Sequence, residues 1–361
     1  MLSLTGLHPL FLMGHAVPAL TSPFYHAKMD TEFRKEAEMR QYRIMVTAVG
    51  AVVGYGMVES LRNSRYDCFI VGTDIFEDAV GQYFCDDFVR AVPAADPGYV
   101  DFLKKTIDRY QIDLVLFGIE QELLVVARAG DALNGYRDKL AVNPPELTEI
   151  CNDKWLTDRW LHENGLSAYA IDTAVEGSFA ELSARFGTPF LLKPRDGRAS
   201  KGIHTVSDEE SFLFYKKRMG NSFMAQRITG TPDAEYTVGV FGDGKGGSYG
   251  EIQLRRVLSQ AGATDKAVVT DEPVLREAVR ALTAAAKPVG PTNYQFRIEN
   301  GEAKLLEINP RVSASTSIRA KFGFNESEMC VTYYLEHEEP CPHPASKGRA
   351  MRYIKDWIVT E

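Results

Sequence analysis

The strongest constraint on the fold is an alternation of buried strands and helices in the first third of the chain. Three apolar segments have the composition of buried strands: residues 42–49, 68–74 and 112–118. Helical patterns follow the first of them, through Leu61, and occupy residues 99–110. Strands that alternate with helices form parallel sheets with right-handed crossovers. The sequence therefore predicts a Rossmann-like α/β domain over residues 41–145.

A different pattern begins after the Pro144-Pro145 pair, where residues 147–164 are predicted to form one helix. Two short strands, a helix and a third strand then form a β-β-α-β unit that is small enough to be a lid. From Glu235 onward the pattern is that of antiparallel strands with one long helix at residues 274–286. We expect an α+β domain over residues 146–345, with a lid lobe at about 188–228 and a larger antiparallel-sheet lobe. A strand or tail at residues 346–361 would complete the chain.

The first forty residues have no comparable pattern. Their apolar stretch near Leu2 is shorter than the ~20 residues that span a bilayer, and the first basic side chain, Lys28, comes after it rather than before it. We expect residues 1–40 to be a disordered extension or the product of a start codon assigned too early. Met39 and Met45 are candidate alternative starts.

Charge and cysteine content exclude several classes of protein. The 361 residues carry 41 Lys and Arg against 49 Asp and Glu, a net charge of -8, so no overall positive field favours nucleic acid or an anionic membrane. The five cysteines are scattered and include no C-x-x-C pair, which argues against a disulfide framework or a zinc knuckle. We expect a cytoplasmic protein that binds neither nucleic acid nor membrane.

Two glycine-rich segments resemble nucleotide-binding motifs incompletely. The turn that contains Gly50, Gly54 and Gly56 has the wrong spacing for a dinucleotide fingerprint, so we interpret it as a tight turn between strand and helix. The segment from Gly239 to Gly246 is close to a P-loop, but a glycine stands where Ser or Thr must hold magnesium. We predict a hairpin turn there.

The second half of the chain carries the residues that best predict chemistry. Lys193 ends an apolar strand beside a Gly/Ser loop, which is typical of a phosphate site but equally of a basic surface hairpin. Strand alternation places Glu307 and Asn309 on one face, which Gln295 can join from the neighbouring strand. These oxygen donors suit Mg²⁺ with ATP, and Arg311 could bind a developing oxyanion, although a solvated face is the simpler alternative.

The order of these residues along the chain resembles that of the ATP-grasp superfamily. The resemblance rests on Asn152-Asp153-Lys154, Leu192-Lys193-Pro194, the segments at Ala225 to Gly230 and Glu235-Tyr236, and Glu307-Ile308-Asn309-Pro310-Arg311. It extends from about Tyr42 to the C-terminus and is closest to stand-alone members that are similar to the large subunit of carbamoyl phosphate synthase.

The resemblance implies a complete ATP site. Lys154 and Lys193 would contact the phosphates and Glu235 would lie near the nucleotide. The loop that covers the phosphates would include Ser200, Lys201 and Gly202, and the hinge that binds adenine would comprise Ala225, Gln226, Arg227 and Ile228. Glu307 and Asn309 would hold one or two Mg²⁺ ions, for which Mn²⁺ could substitute, with Gln295 as a further ligand. Arg311 would lie beside the transferred phosphate, and Arg256 or its neighbour Arg255 would bind the acid.

The resemblance also implies an activity. An ATP-grasp ligase phosphorylates a carboxylate with MgATP and joins the acyl phosphate to an amine or a related nucleophile. Small carboxylates and amines are thus the expected partners, together with a possible second copy of the chain in a homodimer. The alternatives are a non-catalytic ATP-binding regulator, and an enzyme that uses bicarbonate, although Gln260 stands about where carbamoyl phosphate synthases have a histidine. Glu120 and Glu122 could meet an amine or only water.

Overall fold

A five-stranded parallel sheet opens the part of the chain that the computed structural model describes, which is residues 40–196, 202–260 and 262–360. Its strands lie in the order β3-β2-β1-β4-β5. They are β1 (Tyr42–Thr47), β2 (Cys68–Asp74), β3 (Asp87–Arg90), β4 (Leu114–Leu116) and β5 (Leu140–Ala141). The predicted Rossmann-like arrangement is confirmed, although β4 is shorter than the apolar run that predicts it. The expectation for the N-terminal extension lies outside the described residues, since the first described residue is Arg40.

Three helices connect these strands: α1 (Val52–Arg62), α2 (Tyr99–Tyr110) and α3 (Glu120–Arg128). Of these helices, α3 was not expected from the sequence. The Gly50–Gly56 turn leads from β1 into α1, where a Cβ at Gly54 would lie 2.1 Å from the carbonyl oxygen of Ala48. Gly54 is therefore needed for close packing of the helix against the end of the strand.

The predicted single helix at 147–164 is wrong, because Asp153 interrupts it. Two helices, α4 (Pro145–Asn152) and α5 (Lys154–Glu163), flank this residue, whose φ of -124° is extended. The Asp153 carboxylate accepts the backbone N–H of Trp155 at 2.8 Å and caps α5. The same carboxylate forms an ion pair with Arg195, so the break also ties α5 to the lid. One consequence is that Lys154 becomes the first residue of a helix.

The lid is a separate four-stranded sheet with the order β6-β9-β7-β8. Its elements are β6 (Thr173–Ala174), α6 (Phe179–Phe186), β7 (Phe190–Pro194), β8 (His204–Val206), α7 (Glu209–Met219) and β9 (Phe223–Gln226). Phe190, Phe212 and Phe223 form the centre of its own apolar core. The imidazole ring of His204 stacks on the ring of Tyr215, with the two ring centroids 3.7 Å apart.

The largest sheet has six strands in the order β14-β13-β10-β11-β12-β15. They are β10 (Glu235–Asp243), β11 (Ser248–Leu258), β12 (Thr264–Thr270), β13 (Val289–Glu299), β14 (Glu302–Asn309) and β15 (Arg349–Met351), and all their pairings are antiparallel. Tyr236, Tyr294 and Phe296 point to one face, where α8 (Pro273–Ala286) covers them. The predicted hairpin at Gly239–Gly246 is confirmed, because β10 turns directly into β11.

Two short helices, α9 (Thr316–Lys321) and α10 (Glu326–Cys330), follow this sheet and lead into a turn of π-helix at Val331–Leu335. Ile318 of α9 belongs to one apolar cluster with Val53 and Met57 of α1, which joins the parallel sheet to the large lobe. No helix among the described residues is long and apolar enough to cross a membrane.

Candidate functional site

A cleft of about 450 Å³ lies where the three sheets meet. The parallel-sheet domain contributes the start of α1 and Glu120, and the lid contributes the ends of β7 and β9. The large sheet contributes β10, β11, β13 and β14, whose cleft-facing side chains alternate with those of the α8 core. The cleft is lined by both charges, with Lys154, Lys193, Arg256, Arg297 and Arg311 against Glu120, Glu235 and Glu307.

Lys193 lies at the lid side of the cleft, near the end of β7. Its side chain is buried, and its Nζ donates a hydrogen bond to Oε1 of Gln226 at 2.8 Å. Gln226 is fixed in turn because its Nε2 donates to Oγ1 of Thr173 at 2.9 Å. Burial, with the nearby positive charge of Lys154, lowers the pKa of Lys193 to about 7. An anion in the cleft would therefore stabilise the protonated lysine.

Lys154 and Glu307 meet across the cleft. The Nζ of Lys154 lies 3.7 Å from Oε1 of Glu307, and both side chains are partly exposed to the cleft. The capping of α5 by Asp153 fixes the direction in which Lys154 enters. Lys154, Lys193 and Glu307 thus come from α5, β7 and β14 and line one site.

The oxygen donors predicted for a metal face the cleft from two adjacent strands. Gln295 pairs with Glu307 and Asn293 pairs with Asn309, with an irregularity in register between Gln295 and Phe296. Glu307 is partly exposed and Asn309 is buried. No cluster of three or more His, Cys, Asp and Glu side chains suited to a metal occurs in the described residues. A carboxylate with amide oxygens fits Mg²⁺ only if other oxygens, such as those of phosphates, complete its coordination.

Gln295 has a competing partner. Its Oε1 accepts a hydrogen bond from Nη2 of Arg256 at 2.7 Å, so the atom that the sequence assigns to a metal is already engaged by a guanidinium. Glu307 and Asn309 fit the metal role better, since no described cation other than Lys154 is paired with Glu307.

Glu235 holds two arginines in place. Its two carboxylate oxygens lie 3.0 Å from Nη2 of Arg256 and 3.2 Å from Nη2 of Arg297. The strand register requires this arrangement, since Glu235 lies opposite Arg256 on β11 and opposite Arg297 on β13. The Nε atoms of Arg256 and Arg297 are buried and have no hydrogen-bond partner among the described residues. Such N–H groups are costly unless a ligand accepts from them, which fits an anionic ligand.

Arg311 and Glu120 form an ion pair across the cleft, between the loop after β14 and the first residue of α3. Nη1 of Arg311 also donates to the carbonyl oxygen of Val312 at 2.7 Å, and its Nε is a third buried guanidinium atom without a partner in the described chain. Glu122, two residues after Glu120 on α3, does not line the cleft. It is buried, accepts a hydrogen bond from Thr47, and burial raises its pKa to about 7.

The remaining predicted site residues that the structure describes lie outside this cluster. Ser200 and Lys201 lie outside the described residues, whereas Gly202 is described and has a φ of +76° that favours glycine. Of the predicted hinge, Ala225 is buried in the lid core and Arg227 forms an ion pair with Glu299 at 2.6 Å. Ile228 is partly buried, and Arg255 forms an ion pair with Asp233 and is not among the residues that line the cleft.

Sequence reasoning missed Asn293 and Arg297. Both lie on the same strand face as Gln295, two residues before and after it, so the alternation that predicts Gln295 could have indicated them as well. Oδ1 of Asn293 accepts from Nη2 of Arg319 at 2.5 Å, and Arg319 is fully buried with Glu326 beneath the cleft.

A parallel-sheet domain, a lid and an antiparallel lobe around such a cleft define the ATP-grasp fold. The structure of an L-amino acid ligase from Bacillus licheniformis matches with a TM-score of 0.61 at 17% identity, over 84% of this chain and 75% of that one. N5-carboxyaminoimidazole synthetase from Staphylococcus aureus, solved with ADP, matches with a TM-score of 0.62 at 16% identity, over 81% and 78%. At these identities the matches establish the fold alone.

The amino-acid sequence is also similar to one protein family and to characterised proteins. Residues 228–357 match the family described as ATP-grasp in the biosynthetic pathway with Ter operon. The carbamoyl phosphate synthase large chain of Methanocorpusculum labreanum is 23% identical over 84% of this chain and 31% of its own length. The chain thus spans about a third of that relative. The chain thus has the fold of the ATP-grasp ligases, matches an ATP-grasp family over residues 228–357, and is similar in sequence to the carbamoyl phosphate synthase large chain.

Proposed function

We propose that the protein is an ATP-dependent ligase that activates a carboxylate as an acyl phosphate and joins it to an amine. The observation that carries the proposal is the meeting in one cleft of Lys154 from α5, Lys193 from β7, and Glu307 and Arg311 from the end of β14 and the loop after it. The two lysines and the guanidinium of Arg311 carry the positive charge that would bind a polyphosphate. Glu307 and Asn309 offer the oxygen ligands that Mg²⁺ would need beside it.

The first step forms a bond between a carboxylate oxygen of the acid and the γ-phosphorus of ATP, and breaks the bond from that phosphorus to ADP. Lys154 and Lys193 neutralise phosphate charge, and Arg311 stabilises the oxygens of the moving phosphoryl group. Mg²⁺, when bound by Glu307 and Asn309, supplies further neutralisation as a Lewis acid. The lid excludes water that would hydrolyse the mixed anhydride.

The second step joins the amine. Its nitrogen lone pair attacks the acyl carbon, the carbon–oxygen bond to phosphate breaks, and inorganic phosphate leaves as the nitrogen loses a proton. Arg256 and Arg297, which Glu235 orients, offer the unpartnered Nε–H groups that an acid or acyl oxygen could accept from. The names of the structural neighbours support ligation, since they include an L-amino acid ligase and a carboxyaminoimidazole synthetase.

Bicarbonate is the second candidate for the acid. It is favoured by the sequence similarity to the carbamoyl phosphate synthase large chain, which covers 84% of this chain. The two candidate acids lead to different products. Phosphorylated bicarbonate is carboxyphosphate, which an amine converts to a carbamate, whereas an organic acid would give an amide.

The test is ADP release from MgATP with separate pools of amino acids, other carboxylates and bicarbonate, each with and without amines, with products identified by mass spectrometry. We expect release that depends on one acid pool and a product whose mass is the sum of acid and amine less water. Release only with bicarbonate would favour the second candidate. If a non-hydrolysable ATP analogue raises the melting temperature but no pool releases ADP, the ligase proposal is wrong and a regulatory nucleotide-binding role replaces it.

A further inference from the structure

The side-chain amide of Asn293 has one fixed orientation at the wall of the cleft. Asn293 lies on β13, lines the cleft and is almost fully buried. Its Oδ1 accepts hydrogen bonds from Oγ1 of Thr237 and from Nη2 of Arg319, each at 2.5 Å. A guanidinium group has only donors, so the amide atom beside Arg319 is the oxygen, and both of its acceptor positions are filled. The Nδ2 group is left for the cleft and has no hydrogen-bond partner among the described residues.

A buried network beneath the cleft keeps the amide in this orientation. Nη2 of Arg319 also donates to Oγ1 of Thr237 at 2.9 Å, and Nη1 donates to Oε1 of Glu326 at 2.9 Å. Thr237, Arg319 and Glu326 are all fully buried. A flip of the Asn293 amide would set its N–H groups against the guanidinium and leave buried donors without an acceptor, which is costly. The Nδ2 group is therefore a preorganised hydrogen-bond donor.

The position of Asn293 along β13 is at the end of the cleft away from the predicted adenine hinge at residues 225–228. Arg297, on the same face of β13, contacts the hinge side, because its Nη1 donates to the carbonyl oxygen of Thr229. Asn293 lies four residues before Arg297, a separation of ~13 Å along a strand. A nucleotide whose base lies at the hinge would extend its terminal phosphate toward Asn293.

The other groups at this end of the cleft suit a phosphoryl group. Asn293 lies directly opposite Asn309 on β14, and Arg311 follows two residues after Asn309. Side chains opposed in this way have Cβ atoms about 5 Å apart. A phosphoryl group that contacts Arg311, beside Mg²⁺ held by Asn309, would therefore lie within reach of Asn293. An amide N–H₂ group donates hydrogen bonds and does not ligate cations, so Asn293 would contact the phosphoryl oxygens and not the metal.

We propose that Asn293 is a catalytic residue whose Nδ2 donates a hydrogen bond to an oxygen of the phosphoryl group that ATP transfers to the acid. The proposal rests on the proposed ligase function. As the bond from the γ-phosphorus to ADP breaks and the bond to the carboxylate oxygen forms, Asn293 keeps both of its amide protons and stabilises the negative charge of the moving group together with Arg311. Arg319 is a positioning residue, since it acts through the amide that it holds.

The test measures binding of the third phosphate separately from turnover. Calorimetric titration with Mg²⁺ gives Kd for ADP and for a non-hydrolysable ATP analogue, and ADP release with the active acid pool gives kcat. Asn293→Ser removes Nδ2 and keeps an oxygen for Arg319, whereas Asn293→Asp keeps the shape and replaces the donor with an anion. Asn300→Asp is the matched control, since it adds the same charge in the exposed turn between β13 and β14.

We expect both Asn293 variants to bind ADP as the wild type does and the analogue about tenfold or more weakly, the usual effect of one hydrogen bond to a charged group. Their kcat should fall about 100-fold, as when one preorganised donor is removed. Asn300→Asp should match the wild type in all three measurements.

Two outcomes separate the residue from the reaction. An unchanged ratio of the two Kd values in both Asn293 variants overturns this proposal and leaves the ligase function intact. A wild-type protein that releases no ADP with any acid overturns the ligase function, and the catalytic role of Asn293 with it.

Discussion

Nζ of Lys193 lies 2.8 Å from Oε1 of Gln226, and both side chains are buried at the lid side of the cleft. The partner is a neutral amide, so it accepts a hydrogen bond without neutralising the lysine. Burial, reinforced by Lys154, therefore lowers the pKa of Lys193 from its usual 10.5 to about 7. In the free protein at neutral pH, a substantial fraction of Lys193 side chains is therefore unprotonated and can take up a proton when an anion binds.

Binding of MgATP should accordingly be linked to proton uptake. Bound phosphates raise the pKa of Lys193 above its value of about 7 in the free protein, so affinity is highest below pH 7 and falls as the pH rises above it. Calorimetric titration of a non-hydrolysable analogue at pH 8, in two buffers of different ionisation enthalpy, should detect an uptake approaching one proton per site. Lys193→Arg, whose guanidinium stays charged, should abolish it. No uptake in the wild type would contradict the phosphate role of Lys193.

Glu307→Gln should stop turnover and leave the fold intact. The carboxylate faces Lys154 at 3.7 Å and is the only acid of the proposed metal ligands, so its loss removes the negative charge that holds Mg²⁺. We expect kcat to fall about 100-fold or more, as when another preorganised electrostatic group is removed, with an unchanged melting temperature. Glu302→Gln on the same strand is the control, since this side chain is exposed and pairs with Lys304. Near-normal ADP release by Glu307→Gln would exclude the metal role.

Glu235→Gln should destabilise the protein far more than an exposed acid would. Glu235 is buried between Arg256 and Arg297, and removal of one partner from a buried ion pair costs about 3–5 kcal/mol. Glu299→Gln breaks the more exposed pair with Arg227 and should cost about 1 kcal/mol or less. Urea unfolding of both variants tests the difference. Similar free energies of unfolding for the two would mean that the guanidinium groups find other partners.

The strand faces of the candidate site could be predicted, because alternation depends only on local geometry. Glu307, Asn309 and Gln295 were expected on one face, and they line one cleft. The irregularity between Gln295 and Phe296, however, has no signature in the sequence. It could not be foreseen that Oε1 of Gln295 accepts from Arg256, because that contact depends on the pairing of three strands.

The contacts between distant parts of the chain were beyond sequence reasoning. Arg311 and Glu120 are 191 residues apart, and their ion pair depends on the packing of the parallel-sheet domain against the large lobe. Glu120 and Glu122 illustrate the same limit within one helix. Residues two apart on a helix point in different directions, so Glu120 faces the cleft and Glu122 is buried. This difference could not be foreseen because α3 itself was not expected from the sequence.

Gly239 is the residue whose role differs most from the motif in which it occurs. The segment resembles a P-loop, yet Gly239 lies within β10 and makes room for Arg319. A Cβ at this position would lie 2.5 Å from Nη1 of Arg319, whose guanidinium is fixed by Glu326 and by Thr237 at 2.9 Å each. Because the guanidinium of Arg319 is fully buried and held by these partners, it cannot move aside for a Cβ at position 239.

Gly239→Ala should therefore lower the free energy of unfolding by about 2 kcal/mol or more, since it forces an overpacked core and displaces a buried charge. Because Arg319 also holds Oδ1 of Asn293 at the cleft, the variant should weaken binding of the ATP analogue as well. Gly98→Ala is the control, because Gly98 has a φ of -81° and its Cβ would meet only Asp96 at 3.1 Å. Urea unfolding and calorimetric titration measure the two effects. A Gly239→Ala protein as stable as the control would mean that Arg319 is not confined as its contacts indicate.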